Sequence, residues 1–147
     1  MTRAIQTFEV SLKIALFRDG RLLLVQEADT GYWELPGGRI DVGEERLPHA
    51  EILAREIAEE LGPEVSIALR AEVVTWVRQR PTDGVYQFIV ARLADLVAGT
   101  LVLSPEHQSY RWMTPLGWAD LQFPQQSDYA DGLRRIWVEF SPSSARI

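Results

Sequence analysis

The stretch LPGGRIDVGEERLPHAEILAREIAEELG, Leu35 to Gly62, limits the folds open to this chain more than any other segment. Gly37 and Gly38 follow Pro36, so the segment opens on a turn where backbone can approach closely. A polar loop follows, and then a helix is predicted over 48–61. Pro48 suits the first helical turn, because its missing N–H has no intrahelical partner there anyway. Gly62 and Pro63 stop the helix. Ala50, Ala54, Ile57 and Leu61 recur at spacings of three and four and form one apolar stripe. Glu56, Glu59 and Glu60 stand at i, i+3 and i+4, so they share a different face.

Three like charges on adjacent turns repel by a few tenths of a kcal/mol per pair, roughly. They also lie near the negative end of the helix dipole. Something positive must compensate, either Arg55 or a bound divalent cation. Hard cations such as Mg²⁺ prefer carboxylate oxygens and tolerate retained waters. Glu-x-x-Glu-Glu alone is equally a solvated helix face. The glycine turn and the intervening Glu44 shift the balance toward a site.

Around this segment the pattern reads strands, helix, strands, helices. Two apolar runs in FEVSLKIALFRDGRLLLVQEA flank Asp19-Gly20, a two-residue hairpin signal. GYWELPGG gives a short strand. VSIALRAEVVTWVRQR and GVYQFIVARLA form a second hairpin about Pro81-Thr82-Asp83-Gly84. SYRWMT is another strand, and helices are expected at 114–121 and 126–139. The prediction is an α/β (α+β) domain, a curved mixed sheet between helices. Parallel pairs cannot be located from the pattern. One domain over 1–147 suffices, since 147 residues can bury a sizeable core.

There is no Cys, which removes disulfides and thiolate metal sites and fits a reducing, cytoplasmic compartment. No secretory h-region or bilayer-length apolar run is visible, so no membrane partner is expected. The net charge is −6, which makes nucleic acid an unlikely general partner. A phosphate-bearing substrate must therefore meet local cations, a metal or placed Arg residues.

These residues resemble the Nudix hydrolases. The family box runs Gly, five residues, Glu, seven residues, Arg-Glu-apolar-x-Glu-Glu-x-Gly-apolar. Gly38, RIDVG and Glu44 match its start, and Arg55-Glu56-Ile57-Ala58-Glu59-Glu60-Leu61-Gly62 matches its helix. Ten residues, ERLPHAEILA, stand between Glu44 and Arg55 instead of seven, and Pro63 takes the last apolar position. Pro48 suggests that the three extra residues lengthen the loop ahead of the helix, leaving open whether Glu44 reaches Arg55.

The resemblance implies a Nudix fold and Mg²⁺-dependent hydrolysis, with Mn²⁺ as a substitute, of a phosphoanhydride in a nucleoside diphosphate linked to another moiety. It implies Glu56, Glu59, Glu60 and the carbonyl of Gly37 or Gly38 as metal ligands. The catalytic set would be Glu56, Glu59, Arg55 and Glu106, with Arg55 orienting the helix carboxylates through a salt bridge and Glu44 a candidate partner for it. Glu106, in LSPEHQSYRWMT, would be a further ligand or the base. Substrate contacts would come from Gly38, Arg39, Glu44, Trp33, Arg78 and His107, the last also a weaker candidate for accepting a proton. Trp76 could point inward or outward. Competing functions are a sensor module that binds without turnover, or an RNA 5′-end pyrophosphohydrolase. A homodimer is conceivable.

Overall fold

The structure, a computed structural model, describes residues 2–140. The elements run β1 (Glu9–Arg18), β2 (Arg21–Glu27), β3 (Trp33–Glu34), β4 (Gly37–Arg39), α1 (His49–Leu61), β5 (Ser66–Gln79), β6 (Tyr86–Ala98), β7 (His107–Met113), α2 (Pro115–Trp118) and α3 (Gln126–Phe140). All the strands join one mixed sheet with the path β3-β2-β1-β6-β5, β4 pairing with β1 and β7 with β2.

Both expected hairpins are present. At Asp19-Gly20 the two φ angles are +50° and +73°, the left-handed pair that a tight hairpin turn demands. The ladder is short, however, with only Phe17↔Leu22 and Arg18↔Arg21 in register. Beyond it the strands part. β2 turns to β7, from Leu22↔Met113 to Glu27↔His107. The start of β1 takes β4 instead, through Ser11↔Arg39, Leu12↔Gly38 and Lys13↔Gly37. On its other side β1 runs parallel to β6, from Glu9↔Gln87 to Phe17↔Asp95.

This splaying seats the glycine turn of β4 directly against the central strand. It also explains why β1 is apolar along nearly its whole length: it is covered on both faces. Leu12, Ile14 and Leu16 pack with Leu23, Val25 and the α1 residues Ile52, Leu53, Ile57 and Leu61. Ala15 and Phe17 pack on the opposite side with Leu22, Leu24, Trp76, Tyr129, Leu133 and Ile136. Trp76 therefore points inward, and its ring meets Tyr129 edge-on at 5.2 Å.

The apolar stripe of α1 differs from the sequence reading. Ala50 and Ala54 are exposed, and Ile52 and Leu53 take their place in the core. Burying a Leu or Ile side chain removes far more apolar surface from water than burying Ala, so the larger residues set the helix rotation. That rotation also turns Glu56 and Glu60 inward.

α3 reaches across to the glycine turn through one polar contact. The Leu35 backbone N–H donates to the Tyr129 hydroxyl at 2.7 Å, both groups being buried. Tyr129→Phe keeps the packing but orphans that N–H. A loss of about 1–3 kcal/mol is expected, read as a lower urea midpoint with unchanged slope. An unmoved midpoint would show that this bond does not hold the turn. No helix among the described residues is long and apolar enough to cross a membrane.

Candidate active site

The two glycines of β4 are packed against different neighbours. Gly37 has φ +138°, and a Cβ there would stand 2.2 Å from the Leu12 carbonyl oxygen. A Cβ on Gly38 would stand 2.5 Å from a Glu56 carboxylate oxygen. The first glycine lets β4 lie on β1, and the second leaves room for a carboxylate. The Gly37 N–H donates to Glu60 Oε2 at 2.8 Å. Its carbonyl accepts from Lys13 Nζ at 3.5 Å.

Glu56 and Glu60 are 8% and 5% exposed, whereas Glu59 faces solvent. Arg55 holds the group together. Its Nη2 lies 2.7 Å from Glu44 Oε2 and 3.3 Å from Glu56 Oε1, and its Nη1 lies 3.4 Å from Glu59 Oε2. Glu44 thus reaches Arg55 despite the longer spacing. The loop absorbs the extra residues by folding back on itself: the Glu44 N–H donates to the Asp41 carbonyl and the Leu47 N–H to that of Glu44.

The opposite wall comes from the segment before β7. The Val102 N–H donates to the Leu61 carbonyl at 2.8 Å, and the Ser104 N–H to that of Glu60 at 3.3 Å. The loop uses the carbonyls that the end of α1 leaves unpaired. It thereby carries Glu106 and His107 to Glu60, where the three side chains place ligand atoms within 4.8 Å of one another. His107 Nε2 is 3.1 Å from Glu34 Oε1, and Lys13 Nζ is 3.9 Å from Glu34 Oε2.

Together these residues line a cleft of about 350 Å³ whose walls include Gly37, Gly38, Arg39, Arg55, Glu56, Glu59, Glu60 and Glu106. A second cavity of about 420 Å³ shares Gly38 and Arg39 with it and adds Lys13, Tyr32, Glu34, Arg78 and Gln87. Burial pushes the Glu60 carboxyl up to about 7, and it raises Glu56 as well. For Glu34 burial acts in the same direction, but Lys13 and His107 outweigh it and hold the carboxyl below its ordinary value.

Two buried carboxyls resist ionisation while a third and a fourth sit within reach, so the cleft is short of positive charge. Its donors are hard oxygens, and the space beside Gly38 is open enough to reach them. That set fits a divalent cation. Glu56, Glu59, Glu60, Glu106 and the Gly37 carbonyl could hold it.

The sequence reading placed most of these residues together, but three of its substrate contacts line neither cavity. Glu44 stands behind Arg55, which it holds at 2.7 Å. Trp33 is 5% exposed and belongs to the core around Phe17, with the Arg111 guanidinium 5.1 Å from its ring centre. A strand aromatic can point either way, and this one points inward. The His107 side chain is 2% exposed and is tied to Glu34, so it lies behind the wall rather than on it. Lys13, Glu34 and Ser104 were missed. Lys13 had a signal: it is the one charged residue in the apolar run VSLKIALF, where an unpaired charge would be costly.

The NUDIX domain family model matches residues 8–135. A MutT-like protein of Streptomyces ambofaciens is 32% identical over 102 residues, covering 69% of this chain and 60% of that protein. A bis(5′-nucleosyl)-tetraphosphatase [asymmetrical] of Rattus norvegicus is 34% identical over 97 residues, 62% of each chain. The chain thus spans less than two thirds of the length of either relative. Among solved structures, an ADP-ribose pyrophosphatase from Streptococcus suis superposes with a TM-score of 0.68 at 23% identity, over 93% of this chain and 95% of that one. By the extent of the family match and the shared fold, this chain belongs to the NUDIX domain family.

Proposed function

We propose that this chain is a Mg²⁺-dependent hydrolase that cleaves a phosphoanhydride bond in a nucleoside diphosphate linked to another moiety. The observation that carries the reading is the cleft itself: Glu56, Glu59, Glu60 and Glu106 converge beside a glycine turn, with an arginine-lined cavity continuing from it. The rat relative's name, a nucleosyl tetraphosphatase, supports the same bond type. A cysteine-free chain acting on small nucleotides suits the cytoplasm.

A phosphoanhydride is dense in negative charge and repels hydroxide. A divalent cation bound in the cleft supplies charge neutralisation and makes water more acidic. Glu59, Glu60, Glu106 and the Gly37 carbonyl would hold it. Glu56 accepts the proton of the attacking water. Its buried setting raises its basicity, and Arg55 fixes its orientation from 3.3 Å. Glu44 in turn holds Arg55, so its part is positioning. The Gly38 backbone and Arg39 meet the phosphates where the two cavities join.

Arg78 reads the remainder of the substrate. It lines the second cavity, and its buried Nε has no hydrogen-bond partner among the described residues. A substrate oxygen would satisfy it. Arg78→Ala is expected to raise KM about 10–100-fold with kcat nearly unchanged, because the contact is made equally in ground and transition states. A fall in kcat with unchanged KM would move Arg78 out of the binding role.

The test is a panel of nucleoside triphosphates, nucleotide sugars and dinucleoside polyphosphates with Mg²⁺, read as phosphate, pyrophosphate or nucleotide release. Turnover that vanishes with EDTA is expected. Tight nucleotide binding without turnover, with the cation bound, would replace the hydrolase by a sensor module.

A further inference from the structure

We propose that Lys13 binds a phosphate oxygen of the substrate, so that the second cavity takes a further phosphate and the substrate is a nucleoside triphosphate or dinucleoside polyphosphate rather than a nucleotide sugar. This rests on reading the adjoining cleft as the place where the anhydride is cleaved.

Lys13 is the one lysine of the chain; every other basic side chain apart from the two histidines is an arginine. It interrupts the apolar run of the central strand β1 and is 8% exposed. Its Nζ lies 3.5 Å from the Gly37 carbonyl oxygen and 3.9 Å from Glu34 Oε2. Gly37 borders the cleft and Glu34 borders the second cavity, so the ammonium stands where the two spaces adjoin. Both contacts exceed the usual N–H···O distance of about 2.7–3.2 Å, and an ammonium has several protons to donate. Glu34 is shared as well, since its other oxygen meets His107 Nε2 at 3.1 Å. A buried charge with only distant partners costs the fold stability, which an anionic ligand would return.

The cavity wall shows the same excess. Lys13, Arg39, Arg78 and Arg80 line it against two carboxylates, Glu27 and Glu34. Arg80 is answered by Asp83 at 2.7 Å and Glu9 at 3.1 Å, and Arg39 by Glu9 at 3.4 Å. Arg78 keeps a buried Nε without a partner among the described residues. A neutral sugar offers these groups hydroxyls only. A phosphate offers anionic oxygens, which ammonium and guanidinium both bind through charge-assisted hydrogen bonds. Gly38 and Arg39 line both spaces, so a phosphate chain that begins in the cleft continues past them into the cavity.

The test uses two analogues with the same base, a nucleoside triphosphate and a nucleotide sugar, each with methylene in place of every oxygen between phosphorus atoms. Calorimetry with Mg²⁺ should show the triphosphate analogue binding at least about tenfold more tightly. In Lys13→Met its Kd should weaken about 10–100-fold, with that of the sugar analogue moving less than about threefold. Because the chain has one lysine, ¹³C,¹⁵N-lysine labelling gives a single side-chain NMR signal, which the triphosphate analogue should shift. If Lys13→Met fails to fold, that signal in the unaltered chain decides alone. A signal left unmoved by the bound triphosphate analogue, or equal affinity for the two analogues, would overturn the phosphate contact and leave the hydrolase reading to the turnover panel. Failure to bind either analogue would remove both.

Discussion

Glu60→Gln is expected to lower kcat/KM at least about a hundredfold and, in the same protein, to raise stability at pH 8 when no metal is present. The two effects have one origin. Glu60 is 5% exposed, and burial pushes its carboxyl from 4.5 up to about 7. An acid whose pKa is higher folded than unfolded stabilises the fold only while protonated. That contribution is full below about pH 4.5 and is lost as pH rises through about 7.

At about 1.4 kcal/mol per pH unit, the loss is on the order of 3 kcal/mol. Gln carries no charge to bury and still offers an oxygen to the Gly37 N–H. Urea unfolding in EDTA at pH 5 and pH 8 measures this. Wild type should weaken between the two pH values by more than the variant does. Saturating Mg²⁺ at pH 8 should restore stability to the wild type and little to the variant, since a ligand stabilises only the state that binds it. Parallel pH curves for the two proteins would show that Glu60 carries no ionisation penalty.

The adjacent glycines should fail in opposite ways. Gly37→Ala places a Cβ 2.2 Å from the Leu12 carbonyl oxygen at φ +138°. Neither strand can yield without breaking the β1–β4 ladder, so strain of about 1–3 kcal/mol plus the lost pairing should leave little folded protein. Gly38→Ala meets a side chain instead, the Glu56 carboxylate at 2.5 Å. That carboxylate can swing away. Near-wild-type melting is expected with kcat down about 10–100-fold, because Glu56, the proposed proton acceptor, loses its contact with Arg55. Circular dichroism melts beside steady-state kinetics separate the two. A Gly38→Ala protein with full activity would place Glu56 outside the reacting centre.

The local elements were legible because their signals are local. Pro48 and Gly62 bracket α1, and Asp19-Gly20 forces a tight turn. The parallel β1–β6 pairing was not, since it joins segments about seventy residues apart and leaves no pattern in either. Charge made the cleft legible: Glu56, Glu59 and Glu60 share a face that something positive must answer, and Arg55 with Glu44 supplies part of that answer. Residues whose roles depend on facing were harder. Trp33 sits on a two-residue strand too short to show alternation, and it faces the core. His107 looks like a loop residue in sequence, yet pairing of β7 with β2 buries it beside Glu34. Lys13 stands out as a lone charge in an apolar run, but the sequence does not show that Glu34 and the Gly37 carbonyl answer it.

Anomalous diffraction from crystals soaked in MnCl₂ tests the central claim most directly. A peak is expected inside the cleft, about 2.0–2.3 Å from carboxylate oxygens of the α1 glutamates and near the Gly37 carbonyl. A cleft without a peak, or one with the ion held only by exposed carboxylates on the outer surface, would contradict it.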